Sequence, residues 1–339
     1  YENTDTFSSI EVFSGTDFDD TFLGSDTNSN IPSWYNALNL NHDNYEAFRP
    51  GDGVDHIDGR GGYDEISYTD SPAGMTIDLN QSTITDGWGK VDTFSNIEGV
   101  EGTDSDDTII GNSEDNSLDG RLGNNDIDGG GGFDYIEYNG FGRENVNVDL
   151  STGITTFSKS GSNQTFTDNF SNIEGVIGSK YDDIIRGDDN HNILEGAKGN
   201  DTIYGGEGND VLVTGHGDDK LYGEGGNDIL ITVGTGTQLY DGGSGDDTLI
   251  VNTSYLTTLN ENYENSITID LENGDLGQTD NPNLRDTING IENVTYEGGF
   301  KTKINGDENA NILTGGSGND KINGKGGNDH LYGLEGNDK

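Results

Sequence analysis

The chain has 339 residues, 64 Asp and Glu against 16 Lys and Arg, a formal net charge of −48, 28% hydrophobic residues and no Cys. These numbers exclude disulfides and thiolate zinc sites. They also leave no basic surface for nucleic acid and too little apolar material for an ordinary globular core, so bulk composition alone describes a disordered polyanion.

Carboxylates at this density repel one another, and divalent cations are their natural counterweight. No apolar run is long enough to span a membrane, and no secretory leader is visible at Tyr1. The chain begins without Met and stops at Asp338-Lys339 inside a repeated phrase. It is therefore expected to be a piece of a larger protein.

Four modules are expected, in chain order. Residues 1–66 hold a broken block of glycine-aspartate phrases: Gly15 to Asp20, Gly51 to Asp55, and Gly59 to Ile66 with Asp64. An insertion at 30–49, with Trp34, Tyr35 and Tyr45, interrupts it, and a short helix is the expectation there. Residues 67–136 open on Met75-Thr76-Ile77-Asp78-Leu79, whose period-two alternation predicts a strand. Phe94-Ser95-Asn96-Ile97-Glu98-Gly99-Val100 follows, then a block with Asp107, Asn116, Asn125 and Asp134.

Residues 137–250 repeat the plan. Val146-Asn147-Val148-Asp149-Leu150 comes first, then Phe170-Ser171-Asn172-Ile173-Glu174-Gly175-Val176, then the longest block, Gly178 to Ile250. That block carries Asp183, Asn192, Asp201, Asp210, Asp219, Asp228 and Asp247. Its clearest phrase is Gly205-Gly206-Glu207-Gly208-Asn209-Asp210-Val211-Leu212-Val213. Neighbouring copies contribute Gly196, Gly199, Gly217, Gly223 and Gly226. Residues 251–339 hold Ile267-Thr268-Ile269-Asp270-Leu271 and Ile288-Asn289-Gly290-Ile291-Glu292-Asn293-Val294. A last block follows with Asn311, Asp320, Asp329 and Asp338, and with glycines Gly315, Gly316, Gly318 and Gly327. Phe7-Ser8-Ser9-Ile10-Glu11-Val12 is a fourth copy of the second linker phrase.

The phrase is nine residues long, and its eighth position is always apolar. It reads Phe22, Ile57, Ile66, Ile109, Leu118, Ile127, Ile136, Ile185, Leu194, Ile203, Leu212, Leu221, Leu230, Leu239, Leu249, Leu313, Ile322 and Leu331. A disordered tract has no reason to hold that register, whereas an inward-facing strand position does. A nonapeptide cannot bury its apolar residue alone, so it must stack on its neighbours. An all-β stack follows, two nonapeptides to a coil, with no helix expected outside the insertion.

Glycines at positions one, two and four permit positive φ and close backbone approach. The turn then offers carbonyl oxygens, and the Asp at position six adds a carboxylate. An oxygen-only, flexible donor set suits several Ca2+ ions, whereas Mg2+ demands stricter octahedral geometry. Zinc and copper want His or Cys. Turns two repeats apart stack about 4.8 Å apart, and two carboxylates so close repel unless a cation intervenes. The expected pairs are Asp183 with Asp201, Asp201 with Asp219, Asp210 with Asp228, Asn116 with Asp134, Asp107 with Asn125, and Asp320 with Asp338. Asn keeps an oxygen and loses the charge, which predicts weaker sites. Thr237, read as position six of the degenerate copy after Leu230, predicts a lost or altered one.

These phrases resemble the RTX (repeats-in-toxin) nonapeptide, Gly-Gly-x-Gly-x-Asp-x-U-x, where U is a large apolar residue. The linker phrases resemble those of large modular RTX proteins. The resemblance implies a right-handed parallel β-roll in which the position-six Asp of two stacked turns and the glycine carbonyls hold one calcium ion. It implies a bacterial protein secreted by a type I exporter, or displayed on the cell surface, that folds on meeting millimolar calcium outside. Gly187 to Asn192 and Gly111 to Asn116 depart from the pattern by lacking the inner glycines.

Other chemistry has little support. His42, His56, His191, His216 and His330 are scattered, with no His-Glu-x-x-His motif, so a zinc protease site is not expected. Carboxylate pairs are too abundant to mark a glycosidase. Trp34, Tyr35, Tyr45 and Trp88 offer a sugar platform or, more commonly, a cap on the stack. The expected function is a calcium-stiffened, non-enzymatic scaffold or adhesin region, with glycans or neighbouring copies as further partners. The alternatives are the secretion and folding tail of an RTX protease, lipase or alginate epimerase, or a carbohydrate-binding module.

Overall fold

A three-residue strand between glycine turns exposes its outer residues and directs its middle one inward. That rule builds most of the structure. The structure, a computed structural model, describes residues 12–24, 45–140, 142–252, 266–278 and 281–339. The linker copy Phe7 to Glu11, the insertion residues up to Asn44, and His42 lie outside the described residues. Among the described residues every regular element is a strand.

The chain forms two units, Tyr1–Glu144 with Gly153–Ile177, and Asn145–Thr152 with Gly178–Lys339. In the first, one face is a parallel sheet in the order Val12–Ser14, Tyr45–Arg49, Tyr63–Ser67, Gly99–Glu101, Ser117–Asp119, Tyr135–Glu137 and Gly175–Ile177. The other face is divided. Thr21–Leu23, His56–Asp58 and Val91–Ser95 pair in parallel, as do Thr76–Asp78, Thr108–Ile110, Asp126–Asp128 and Thr165–Ser171. Two antiparallel hairpins interrupt the parallel plan, Thr83–Thr85 on Val91–Ser95 and Ile154–Lys159 on Thr165–Ser171. Trp88 sits in the tight turn of the first hairpin.

In the second unit one face runs Ile193–Lys198, Val211–His216, Ile229–Thr232, Thr248–Asn252, Asn293–Glu297, Ile312–Thr314 and His330–Tyr332. The other includes Ile184–Arg186, Thr202–Glu207, Lys220–Gly225, Leu239–Asp241 and Asn281–Asn289, all parallel. A third antiparallel excursion, Ser266–Asp270, Asp275–Gln278 and Asn281–Asn289, lies within this face. Each unit is thus a parallel β-roll, with hairpins grown out of the linkers.

Register confirms two repeats per coil: Leu194 lies opposite Leu212, and Ile203 opposite Leu221. The core is a thin stripe. Leu194, Leu212, Leu230, Leu249, Val294 and Leu313 are fully buried from one face, and Ile185, Ile203, Leu221 and Tyr240 from the other. Leu212→Ala is therefore expected to cost about 3 kcal/mol, read as a lowered urea midpoint in calcium buffer.

One sequence expectation is corrected. Leu221 lies opposite Tyr240, not Leu239, and it is Tyr240 that is fully buried. The copy after Ile231 carries one extra residue, so the backbone N–H of Asp219 donates to Gln238 Oε1, nineteen residues on. Position six is therefore Gln238 rather than Thr237. The larger aromatic side chain occupies the interior, while Leu239 faces outward. Leu331, at the last described strand, is 47% exposed, and Phe22 and Ile322 are half-buried.

Candidate metal centre

The turn is built around glycine for a steric reason. A Cβ on Gly205 would stand 2.6 Å from Asp210 Oδ2 and 2.7 Å from the carbonyl oxygen of Gly223, one coil on. No side chain fits in that gap. Gly206 and Gly208 hold φ of 108° and 123°, which draws the loop back toward the strand.

Position-six side chains form columns. The backbone N–H of Asp183 donates to Asp201 Oδ1 (2.8 Å), and that of Asp201 to Asp219 Oδ1 (2.9 Å). Asn192, Asp210 and Asp228 continue a second column to Asp247 at 2.8 Å per step. Asn116 joins Asp134, Asp107 joins Asn125, and Asp320 joins Asp338 in the same manner. Asp20 joins Asp55, and Asn311 joins Asp329. Every pair expected from the sequence is brought together.

The columns then divide by what satisfies the second oxygen. In Asp55, Asp134, Asp201, Asp210, Asp219, Asp228, Asp247 and Asp320, Oδ2 is buried and has no hydrogen-bond partner; in Asp64 both oxygens lack one. All nine residues are at most 2% exposed. Asp20, Asp107 and Asp183 differ. Each accepts from the backbone N–H and the hydroxyl of its own turn, Thr16, Thr103 or Ser179. The signal was visible as Thr or Ser at position two of the first phrase in three of the four blocks.

The amides also close on themselves. Asn116 and Asn311 donate Nδ2–H to the carbonyls of Glu98 and Glu292 (3.1 and 2.8 Å), and Asn125 donates to Asp168 Oδ1 (2.8 Å). Gln238 Nε2 donates to Gly217 O at 2.9 Å. In these turns a side-chain amide supplies the positive end that a cation would supply elsewhere.

Residues missed in the sequence complete the columns. Asp92, Asp168 and Asp286 accept from the backbone N–H of Asp55, Asn125 and Gln238. Glu98, Glu174 and Glu292 accept from those of Asp64, Asp134 and Asp247. The three Glu lie within the second linker phrases and the three Asp two residues before them, so that Asp and Glu stand six residues apart rather than nine. Their recurrence beside Phe/Ile and Val was the available signal.

Burial without a partner destabilises a carboxylate's charge. Burial, reinforced by the charges of Asp183 and Asp219, pushes Asp201 up to about 9. Burial with the Glu98 charge pushes Asp64 to about 8. Burial likewise raises Asp134 and Asp210 to about 7, and Asp183, Asp219 and Asp247 to about 6. Among the described residues no three His, Cys, Asp or Glu side chains gather into a metal cluster. An ion in a turn must therefore draw on backbone carbonyls as well as carboxylates. The turns provide that donor set: oxygen only, several carbonyls and a buried anionic oxygen without a proton donor. It fits calcium and offers zinc nothing.

A family model described as the RTX calcium-binding nonapeptide repeat matches the chain at four stretches, residues 101–136, 176–203, 195–230 and 305–339. The first stretch matches the block of Asp107 to Asp134. The next two fall in that of Asp183 to Asp228, and the last covers that of Asn311 to Asp338. No curated protein matches the chain.

Proposed function

The chain carries RTX calcium-binding nonapeptide repeats, and on that premise we propose that it folds around calcium outside the cell and serves as a stiff structural or adhesive scaffold of a secreted or surface protein of a bacterium. The observation that carries this reading is the row of nine buried aspartates whose second oxygen has no partner. A buried carboxylate that stays charged needs a counter-ion; otherwise it must take up a proton. Asp55, Asp64, Asp134, Asp201, Asp210, Asp219, Asp228, Asp247 and Asp320 are the proposed carboxylate ligands, completed by carbonyls of turn residues such as Gly223. The turns already closed by Thr, Ser, Asn or Gln are proposed as weaker sites. The proposed repeating units are 1–66, 67–136, 137–250 and 251–339.

Bound calcium supplies positive charge and an oxygen-coordinating centre between coils. The chain's own residues set the coil spacing, exclude water from the carboxylates and hold them in column. Among the described residues no helix is long and apolar enough to cross a membrane. Calcium counting by equilibrium dialysis tests the ligand assignment. Wild-type chain should bind several ions, and the quadruple variant Asp201→Asn, Asp210→Asn, Asp219→Asn, Asp228→Asn should bind fewer. An equal count in both would sink the assignment. The extracellular part is checked by fractionating a producing bacterium; folded protein retained inside the cell would contradict it.

A further inference from the structure

The acid columns do not stop where the nonapeptides stop. At Gly59, Gly129 and Gly242 the place a Cβ would occupy lies within 2.7 Å of two oxygens. One is Oδ2 of Asp64, Asp134 or Asp247; the other is the carbonyl oxygen of a linker residue, Asn96, Asn172 or Gly290. The linker residue turns the chain with φ of 54°, 53° and 54°, a conformation that Asn and Gly accept most readily. Two residues further, Glu98, Glu174 and Glu292 bring Oε2 to 3.0, 3.0 and 2.8 Å from the backbone nitrogen of the same Asp.

The geometry recurs three times although the sequence separations are 34, 40 and 45 residues. It also reproduces the arrangement at Gly205, where Asp210 Oδ2 faces Gly223 O. The three aspartates are 0 to 1% exposed, and their Oδ2 atoms have no partner. Two oxygens that face the same glycine lie near enough to each other to share a single calcium ion.

The other column ends differently. There Oδ2 of Asp92 and of Asp168 accepts the hydroxyls of Tyr68 and Tyr138, at 3.0 and 3.2 Å. There a tyrosine hydroxyl partners the oxygen that in Asp64, Asp134 and Asp247 has no partner.

Resting on the calcium reading above, we propose that each linker is a metal site in its own right: it closes its block on one further calcium ion, held by Asp64, Asn96 O and Glu98, by Asp134, Asn172 O and Glu174, and by Asp247, Gly290 O and Glu292. The linker is then a compressed repeat that fastens the block before it, one ion per linker. On the opposite column Tyr68 and Tyr138 close the first two linkers without metal.

Calcium counting on the full chain tests this, with calcium as the only added metal. The triple variant Glu98→Gln, Glu174→Gln, Glu292→Gln keeps an oxygen for the Asp N–H but removes the charge and one ligand oxygen. Three fewer ions than wild type is the expected result. An unchanged count overturns the linker sites and leaves the nonapeptide sites standing. A wild type that binds no calcium overturns both readings. Should the triple variant fail to fold, Glu292→Gln alone is expected to bind one ion fewer with an unaltered circular dichroism spectrum in saturating calcium; the same count in that variant would also overturn the proposal. The pair Asp92→Asn, Asp168→Asn should retain the full count, and ions lost there would overturn the assignment to the glutamate column.

Discussion

Stripped of calcium at pH 8, the chain is expected to lose its β-sheet signal, and acidification to pH 5 in the same calcium-free buffer should restore much of it. The buried aspartates dictate the direction. Their carboxyls titrate near 6 to 9 in the folded chain, against about 3.9 when unfolded. Folded values raised above unfolded ones mean that folding takes up protons. The stabilisation is complete below about pH 4 and is lost as pH climbs through the 6 to 9 window. The net charge of −48 adds repulsion of the same sign.

Calcium is expected to reverse the slope. An ion on the carboxylates favours their charged form and must compete with protons. With calcium present, stability should rise with pH and fall as acid displaces the metal. Two circular dichroism titrations against pH, with and without calcium, therefore cross. Parallel curves would mean that the partnerless oxygens are not where the metal acts.

Gly226→Ala is expected to be the most damaging single change in a turn, at about 3–5 kcal/mol, the sum of left-handed backbone strain and overpacking. Gly226 holds φ at 131°, and an added Cβ would overlap Gly208 O, a backbone atom of the stacked turn that no rotamer change can move aside. The substitution removes no charge and no side-chain ligand, so the loss is one of coil-to-coil distance. Urea unfolding in calcium buffer measures it. A midpoint within a few tenths of a molar of wild type would show that the coils can part locally, and that their close stacking is not what the glycines serve.

The repeat architecture was readable in the sequence because Leu194, Leu212 and Leu230 recur at a fixed interval that only a stacked strand explains. The column pairs followed from the same arithmetic. What escaped it had no periodic signature. Leu239 looks as suitable an interior residue as Tyr240, and only the pairing of Tyr240 with Leu221 discloses the extra residue. Asp168 and Glu174 stand in column like repeat acids, yet their six-residue spacing falls outside a nine-residue frame. The antiparallel hairpin Ile154–Lys159 with Thr165–Ser171 is assembled from alternating residues that suit either pairing direction.

The surplus residue before Tyr240 has a consequence for how such a chain can change over time. Neighbouring coils are joined strand to strand, and the corner between strands absorbed the insertion without shifting the buried row: Tyr240 still faces Leu221 and Ile288. Corners are thus permissive to indels. A single residue inserted between Val211 and Leu212, by contrast, would turn the strand inside out and present a leucine to water. Lengthening and trimming should therefore concentrate at glycine corners or proceed by whole coils, which leaves the length of each roll free to drift while its cross-section stays constant.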